Sequence, residues 1–507
     1  MSLKRNLIAN YLGQGWAALM GLAFIPLYIK YLGIEAYGLI GLFGVLLAWL
    51  SLLDMGMTPT LNREMARFTA GTHSATSIRD LLRSIEIVAL GVATLVGVGI
   101  WAASGWLASD WLRAEKLPID AVAQAFSIMG AVAALRFVEG VYRSCIIGLQ
   151  RQVLFNAVNS VLATLRGLGA VGILMWVSPT IEAFFIWQGA ISLLTLGVLA
   201  GVTYRSLPKA ERSGRFSVPA LRGIGRFAGG VTGITFLALL LTQVDKILLS
   251  KLLTLGEYGY YSLAAVVAAA LYMLTGPITQ AWFPRLSELH ANNNQTELIS
   301  KYHQGAQLVS VLMGSAAIIL IVFAEPILQL WTHDTDLAHR SATLLSLLAL
   351  GNLLNGLMWL PYQTQLAHGW TGLATRINIV SVAIIVPAIL WTTPRYGAEG
   401  AAWMWVSLNA GYVLIGIHFM YRKILTREKW RWYGQDVLQP LLAAAAIASA
   451  AAWAMPESLA APIQLAWLLI ASLIALLASA LAAPRVRAAL LNQAALRFKF
   501  NGLSNNL

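Results

Sequence analysis

Long apolar runs separated by short polar segments fill the sequence from residue 9 to residue 483. A helix that crosses a bilayer needs about 20 predominantly apolar residues. The sequence has fourteen such runs, so it predicts an all-α polytopic membrane protein with about 14 transmembrane helices. Pro26 lies within the first run and predicts a bend there, because proline removes a helix hydrogen bond. The runs cover about 9–29, 37–56, 84–108, 121–146, 156–178, 182–203, 227–249, 259–282, 305–324, 341–360, 373–392, 400–421, 437–455 and 464–483.

Lys and Arg residues are unevenly distributed between the loops, and membrane proteins concentrate these residues on the cytoplasmic side. With the N-terminus in the cytoplasm, the cytoplasmic segments hold 24 of the 35 Lys and Arg residues, and the outer loops hold 6. The other five lie within spans. The asymmetry predicts that both termini are cytoplasmic. The net charge of +13 then reflects topology and contact with anionic membrane lipids rather than a substrate.

Two related motifs indicate an internal repeat. LGIEAYG at 32–38 joins the first two spans, and LGEYG at 255–259 joins the seventh and eighth. Because six spans separate the copies, the two repeats have the same orientation, as in transporters built from parallel repeats. We therefore predict two pseudo-symmetric six-helix lobes and two further helices. The predicted parts are an N-lobe at 1–204, a basic cytoplasmic linker at 205–226, a C-lobe at 227–421, helices 13 and 14 at 437–483, and a cytoplasmic tail at 484–507.

Composition excludes several classes of protein. The chain is 58% hydrophobic and 11% charged, whereas a soluble domain carries about 25% charged residues. Soluble, disordered and nucleic-acid-binding proteins are excluded despite the pI of 9.9. The single cysteine, Cys145, cannot form an intramolecular disulfide, and no zinc-site spacing occurs. There is also no Walker A motif and no nucleophile–base pair, so we expect transport without a cofactor, a metal or catalysis.

The fourth and fifth spans hold an unusual set of charges. Arg136, Glu139 and Arg143 follow i, i+3, i+7 spacing and share one helix face. Arg166 lies near the middle of the fifth span, with no acid in its own helix. Charges within spans are costly, by about 2.5–3.5 kcal/mol each on insertion scales, and they face the bundle interior. Three arginines against one glutamate leave two surplus positive charges. The arginines either form interhelical ion pairs or line a wet cavity that binds an anion such as phosphate.

Three residues are candidates for ion coupling. Asp245 and Lys246 adjoin in the seventh span, and adjacent helical residues point about 100° apart, so they need separate partners. Asp245 is a candidate ion-coupling residue, as are Glu139 and Lys246. The alternative for Asp245 is an ion pair within the second lobe or at the lobe interface.

Several segments resemble those of one transporter family. In the first half they are Asn10, Pro26, Tyr28, Leu32-Gly33, Glu35, Tyr37-Gly38-Leu39, the WLSLLDMG stretch at 49–56, Pro59-Thr60-Leu61 and Arg63-Glu64. In the second half they are QVDK at 243–246, Gly276-Pro277 and Phe283-Pro284-Arg285. Over spans one to twelve the chain resembles bacterial polysaccharide transporters, and more narrowly the O-antigen flippases of the Wzx type. That superfamily also contains lipid II flippases and multidrug and toxin extruders.

The resemblance implies a V-shaped pair of six-helix bundles around a central cavity, in the bacterial inner membrane. It implies a flippase, not an enzyme. The substrate would be a polyprenyl-pyrophosphate-linked oligosaccharide, moved from the cytoplasmic to the periplasmic leaflet by alternating access with ion coupling. A polysaccharide polymerase is a possible partner. On charge and depth, we expect Arg136 and Arg166 to bind the pyrophosphate, with Arg63 or Arg143 at the inner opening.

Two other functions stay open. A drug-cation exporter of the same fold would show an excess of acids in its spans, whereas this chain has five basic and four acidic residues there. A membrane glycosyltransferase or polymerase would carry a large outer catalytic loop, and the sequence has none.

Overall fold

The structure is a computed structural model that describes residues 3–69, 71, 73–208, 212–456 and 459–491. Within these ranges the regular secondary structure is helical throughout, as the apolar pattern predicts. The chain divides into two compact units, Met1–Gly259 and Tyr260–Leu507. Positions 209–211 of the predicted linker and 492–507 of the predicted tail lie outside the described residues.

The predicted first span corresponds to one candidate membrane span, Ala9–Leu32, which is made of two helices. The first helix ends at Ala23 and the second begins at Ile25, with Pro26 in its first turn, so the break lies at the predicted proline bend. Gly33 then separates the second and third helices with a φ of +82°, a value that favours glycine. The helices are α1 Leu3–Ala23, α2 Ile25–Leu32, α3 Ile34–Leu53, α4 Met57–Thr69, α5 Ala75–Trp106, α6 Ile119–Gly148, α7 Gln152–Trp176, α8 Ile181–Ser206 and α9 Val218–Leu252.

The second unit is also helical, and α10, Leu255–Ala269, crosses the boundary between the units. The π-helical turn Ser310–Gly314 joins two of its helices into one continuous span. Its other helices are α11 Tyr272–Ala291, α12 Gln295–Val309, α13 Ser315–Val322, α14 Ala324–Thr332, α15 Thr335–Leu357, α16 Trp359–Ala367, α17 Gly372–Gly411, α18 Ile417–Lys423, α19 Lys429–Arg431, α20 Gln439–Trp453 and α21 Ala461–Ala482.

Among the described residues, twelve helices are long and apolar enough to cross a membrane. Two features explain why this count is lower than the predicted fourteen. The predicted seventh span falls on α9, whose side chains at 223–235 are outside the described set. The predicted spans 373–392 and 400–421 fall in one segment, Gly372–Lys423, which Gly397 interrupts with non-helical angles of φ 58° and ψ −148°. The total of fourteen and the cytoplasmic termini stay predictions.

Helix α6 is the centre of the first unit. It packs against α5, α8 and α4, while α1 packs against α7. The core between these helices is apolar and includes Leu39, Phe126, Met129 and Phe185, each buried. Because α6 is covered on several sides, Arg136 and Glu139 in its middle face protein and an internal cavity.

The two copies of the repeat motif meet at their glycines. Gly38 of α3 lies against the start of α10, and a Cβ at this position would be 2.6 Å from the carbonyl oxygen of Leu255. A Cβ at Gly259, the equivalent position of the second copy, would overlap the carbonyl oxygen of Ile34. Small residues allow such close backbone approach between membrane helices. The repeat motif therefore supplies a helix–helix contact.

We expect Gly38→Ala to lower the thermal unfolding midpoint of the detergent-purified protein by several degrees. The added methyl group meets a backbone oxygen that cannot move aside, and such overpacking costs about 1–3 kcal/mol. Gly99→Ala is the matched control, because a Cβ there meets no atom within 4 Å. Equal midpoints for the two variants would contradict the close contact.

The second unit contains a buried histidine between two carboxylates. His303 Nδ1 contacts a carboxylate oxygen of Asp436, and His303 Nε2 lies 2.8 Å from Glu428 Oε2. Gln307 Nε2 donates to the other oxygen of Asp436 at 2.8 Å. His303 and Asp436 are both fully buried, and the cluster joins α12 to the π-helical turn Trp432–Leu438. This network stabilises the second unit.

Asp436→Asn should reduce the free energy of unfolding by about 1–3 kcal/mol, because it changes a buried carboxylate that His303 and Gln307 contact and leaves buried polar groups unsatisfied. The control is Asp336→Asn, whose salt bridge with Arg340 has side chains that are 70% and 59% exposed. Such exposed pairs contribute about 0–1 kcal/mol. Thermal unfolding of the two purified variants measures the difference, and a control variant as unstable as Asp436→Asn would refute the assignment.

Candidate functional site

Two cavities share lining residues within the first unit. The large chamber has a volume of about 560 Å³, and the small chamber has a volume of about 290 Å³. Leu47, Arg136 and Arg166 line both and therefore mark their junction. The large chamber is lined in addition by Leu50, Ser51, Asp54, Gly56, Thr58, Pro59, Phe137, Glu139, Gly140 and Arg143. The small chamber is lined in addition by Ala17, Met20, Gly21, Tyr28, Ile40, Phe43, Gly44, Ala163, Gly167, Phe184 and Gln188.

A tight turn between α3 and α4 forms one wall of the large chamber. Met55 and Gly56 both have positive φ angles, of 47° and 70°. The carboxylate of Asp54 accepts hydrogen bonds from the Thr58 backbone N–H at 3.1 Å and from the Thr58 hydroxyl at 2.6 Å. Asp54 thus binds the first turn of α4, as carboxylates do at helix N-termini. This arrangement places a carboxylate on the chamber wall.

Arg136 has neutral partners. Its Nη2 donates to Gln188 Oε1 at 2.8 Å, and its guanidinium carbon lies 5.0 Å from the centre of the Phe43 ring. Its Nε is buried and has no hydrogen-bond partner. Within the described part of the chain, Arg136 forms no ion pair. Its charge is therefore available to an anion in either chamber.

Arg166 shares its charge with an acid on a neighbouring helix. Its Nη2 lies 3.9 Å from Glu139 Oε1 and 3.5 Å from the hydroxyl of Thr195. The Trp187 indole donates to the backbone oxygen of Arg166 at 3.3 Å and holds this part of α7. The side chain of Arg166 is 25% exposed and that of Glu139 is 3% exposed. Glu139 therefore pairs across helices with Arg166, and neither arginine of its own helix lies within ion-pair distance of it.

The two chambers differ in charge. Three arginines and two acids, Asp54 and Glu139, line the large chamber. The small chamber has the two shared arginines and no acidic residue in its lining. Guanidinium groups donate pairs of parallel hydrogen bonds to phosphate or carboxylate oxygens. The junction of the chambers is therefore a site that can bind an anion.

The other predicted arginines lie in different places. Arg143 lines the large chamber, is exposed, and lies over the ring of Phe155 at 5.9 Å. Arg63 is exposed on α4, outside the lining of both chambers, with its Nε 3.8 Å from Glu64 Oε1.

Burial opposes ionisation of Glu64, but hydrogen bonds from His73 and Arg67 outweigh it and keep the pKa of Glu64 below its usual range.

Asp245 and Lys246 lie on α9 and line neither chamber. Lys246 Nζ donates to the Thr242 backbone oxygen at 2.8 Å and to Gln243 Oε1 at 3.2 Å. Both side chains are half-buried. Their role in ion coupling stays a prediction, and neither chamber lining includes them.

Sequence reasoning did not assign the aromatic wall of the small chamber to the site. Tyr28 packs edge-on against Phe184, with ring centres 5.1 Å apart, and Phe43 lies on the opposing α3. These residues look like ordinary apolar positions in the sequence. The sequence also does not indicate that Asp54 lines the large chamber. Its position two residues before Gly56 is a usable signal for the turn only.

The described residues contain twelve helices that are long and apolar enough to cross a membrane, and arginines line an internal cavity. These features are typical of a multi-pass membrane transporter. The family model described as "Polysaccharide biosynthesis protein" matches residues 3–290, more than half of the chain, and the MatE model matches residues 233–391. The chain belongs to the polysaccharide biosynthesis protein family.

One curated protein is similar to this chain in sequence, and two solved structures share its fold. A Shigella flexneri protein named "Putative O-antigen transporter" is 19% identical over 405 residues, which cover 80% of this chain and 94% of the relative. The structure of the lipid II flippase MurJ aligns with a TM-score of 0.65 at 11% identity, covering 93% of this chain and 97% of MurJ. An inward-facing multidrug resistance MATE transporter aligns with a TM-score of 0.62 at 14% identity, covering 82% of this chain and 96% of the other. These proteins are transporters and flippases, and this chain is a transporter rather than an enzyme.

The charge of the large chamber can be measured with thiol reagents. Cys145 is the only cysteine and is buried, so Cys145→Ala gives a cysteine-free background. In this background we expect Ser51→Cys to prefer an anionic methanethiosulfonate over a cationic one, after correction for the reaction with a free thiol. The reason is that the lining carries more arginines than acids. Adding Arg136→Gln should reduce the preference.

The control is Leu95→Cys on α5. Leu95 is apolar and 76% exposed, and a cysteine at this position should react with neither charged reagent. A preference for the cationic reagent at Ser51→Cys would show that the chamber is not positive.

Proposed function

We propose that the protein is a flippase for a polyprenyl-pyrophosphate-linked oligosaccharide, an O-antigen repeat unit or a related glycan. It moves this lipid from the cytoplasmic to the periplasmic leaflet of the bacterial inner membrane. The pyrophosphate binds Arg136 and Arg166, the glycan crosses in the wet cavity, and the polyprenyl tail stays in lipid. The two halves alternate between states open to either side, driven by a coupled ion.

The observation that carries this proposal is the arginine pair at the junction of the two chambers. Arg136 bonds only to neutral groups, and the closest acid to Arg166 is 3.9 Å away. A buried cation without a counter-ion is costly in a membrane protein, and such residues mark substrate or ion sites. A diphosphate supplies the missing negative charge, and its oxygens match the guanidinium geometry.

The comparisons support the same class of substrate. The O-antigen transporter of Shigella flexneri aligns over most of both chains, and MurJ, named as a lipid II flippase, shares the fold. Of the three coupling candidates, Glu139 is the one that lines a chamber and contacts an arginine. Protonation of Glu139 would release Arg166, so binding of a proton and binding of an anion would be linked at this site.

Flipping in proteoliposomes tests the proposal. A fluorescent polyprenyl-pyrophosphate-linked oligosaccharide is incorporated, and its exposure to an external quencher is followed with and without a proton or sodium gradient. Wild-type protein should move it. Arg136→Gln and Arg166→Gln should each slow movement at least tenfold, since a hydrogen bond to a charged group is worth about 1.5–3 kcal/mol.

Arg340→Gln is the matched control and should flip at the wild-type rate, because Arg340 is exposed and pairs with Asp336 on the surface. Unchanged flipping in both Arg136→Gln and Arg166→Gln would refute the role of the arginine pair.

Export of a cationic drug is the second candidate. It is favoured by the MatE match at 233–391 and by the fold shared with MATE transporters. The charges of the first unit oppose it, since the small chamber contains arginines and no acid. A cationic dye tested in parallel decides between the two, and movement of the dye alone would replace the flippase proposal.

A further inference from the structure

We infer that the two chambers divide the substrate: the small chamber holds the diphosphate, and the large chamber holds the sugar attached to it. This inference rests on the proposed function and goes beyond it by giving each chamber one part of the ligand. The arginine pair belongs to both chambers, so the argument depends on what else lines each one.

Charge separates the chambers first. Asp54 and Glu139 line the large chamber, and their carboxylates repel a diphosphate placed there. The lining of the small chamber contains Arg136 and Arg166 and no acid, so an anion there faces both guanidinium groups without a carboxylate in the same lining. At the low effective dielectric of a protein interior such charge differences act strongly over a few ångströms.

The polar groups of the small chamber can all donate hydrogen bonds. The amide oxygen of Gln188 accepts from Arg136, and its NH2 group is a donor. Arg136 Nε is buried without a partner. The hydroxyl of Tyr28 forms no hydrogen bond within the described part of the chain, and this side chain also lines the chamber. Phosphate oxygens accept hydrogen bonds only, so this set of donors suits a diphosphate.

The large chamber has the complementary chemistry. Carboxylates accept hydrogen bonds from hydroxyl groups, and Asp54, Glu139, Ser51 and Arg143 combine acceptors and donors as a sugar requires. Its volume of about 560 Å³ is about twice the 290 Å³ of the small chamber. A sugar is bonded directly to the diphosphate, and the shared arginines allow one ligand to extend through the junction.

A charge introduced at Gly44 tests the small chamber. Gly44 lines it, and a Cβ there meets no atom within 4 Å, so a short side chain fits. The probes are polyprenyl pyrophosphate without sugar and the same lipid carrying one N-acetylglucosamine, with affinities measured on purified protein in nanodiscs. Gly44→Asp should bind both lipids at least tenfold more weakly than Gly44→Asn, which adds nearly the same volume without charge. Tyr28→Phe should also weaken the binding of both lipids, by about the same factor as Gly44→Asp. This variant tests the small chamber if Gly44→Asp does not fold.

Asp54→Asn tests the large chamber. The substitution should lower the affinity for the sugar-carrying lipid, relative to the affinity for the bare lipid, by about threefold or more. It should bind the bare lipid at least as tightly as wild type does, because it removes a negative charge. The amide oxygen can still accept from Thr58, so the turn is retained.

The outcomes separate this inference from the proposed function. If wild-type protein binds neither lipid, both are wrong. If wild type binds both lipids but Gly44→Asp and Gly44→Asn bind them equally and Tyr28→Phe has no effect, the small chamber does not hold the diphosphate. If Asp54→Asn affects both lipids equally, the large chamber does not hold the sugar. In the last two cases the flippase proposal survives.

Discussion

The burial of positive charge in an apolar helix bundle is the constraint on which the rest of the first unit depends. A guanidinium group within a span is costly unless it has partners or water. Arg136 donates to the Gln188 amide, lies over the Phe43 ring and lines a cavity. Arg166 lies 3.9 Å from Glu139. Helices α3, α6, α7 and α8 contribute these groups, so their packing is tied to the two arginines. The cavities exist where the helices do not close around these side chains.

The histidine cluster of the second unit and the arginine site of the first unit differ in how their buried polar groups are satisfied. In the second unit both ring nitrogens of His303 contact carboxylates, and Gln307 bonds the remaining oxygen of Asp436. In the first unit, a buried nitrogen of Arg136 has no partner. Buried polar groups are nearly always satisfied, so an unsatisfied one beside a cavity points to a ligand. The polar groups of the histidine network are therefore satisfied by protein, whereas Arg136 keeps a hydrogen-bond donor without a protein partner.

Backbone features around the site are as specific as the charges. Proline at 26 ends α1 and starts α2, and the turn at Asp54 to Gly56 redirects the chain into α4. The glycine contact between α3 and α10 fixes the opposite end of α3 from that turn. Between these two points α3 presents Phe43 and Leu47 to the chambers. Asp54, at the end of this helix, lines the large chamber, and Glu139 of α6 is the second acid there.

The helical class, the bend at Pro26 and the candidate charges follow from the sequence, because apolar run length, proline geometry and the cost of buried charge are local properties. The sequence left open whether Arg136 and Arg166 line a cavity or form ion pairs. In the structure both line the two chambers, and Arg166 also lies 3.9 Å from Glu139. Helical spacing cannot say which neighbouring helix a side chain meets, and packing is what places Glu139 against Arg166 on α7. It also decided that Arg63 lies outside the chambers and that Tyr28 and Asp54 line them. An apolar or capping residue has the same local pattern whether a cavity or another side chain lies beyond it, so packing alone makes that distinction.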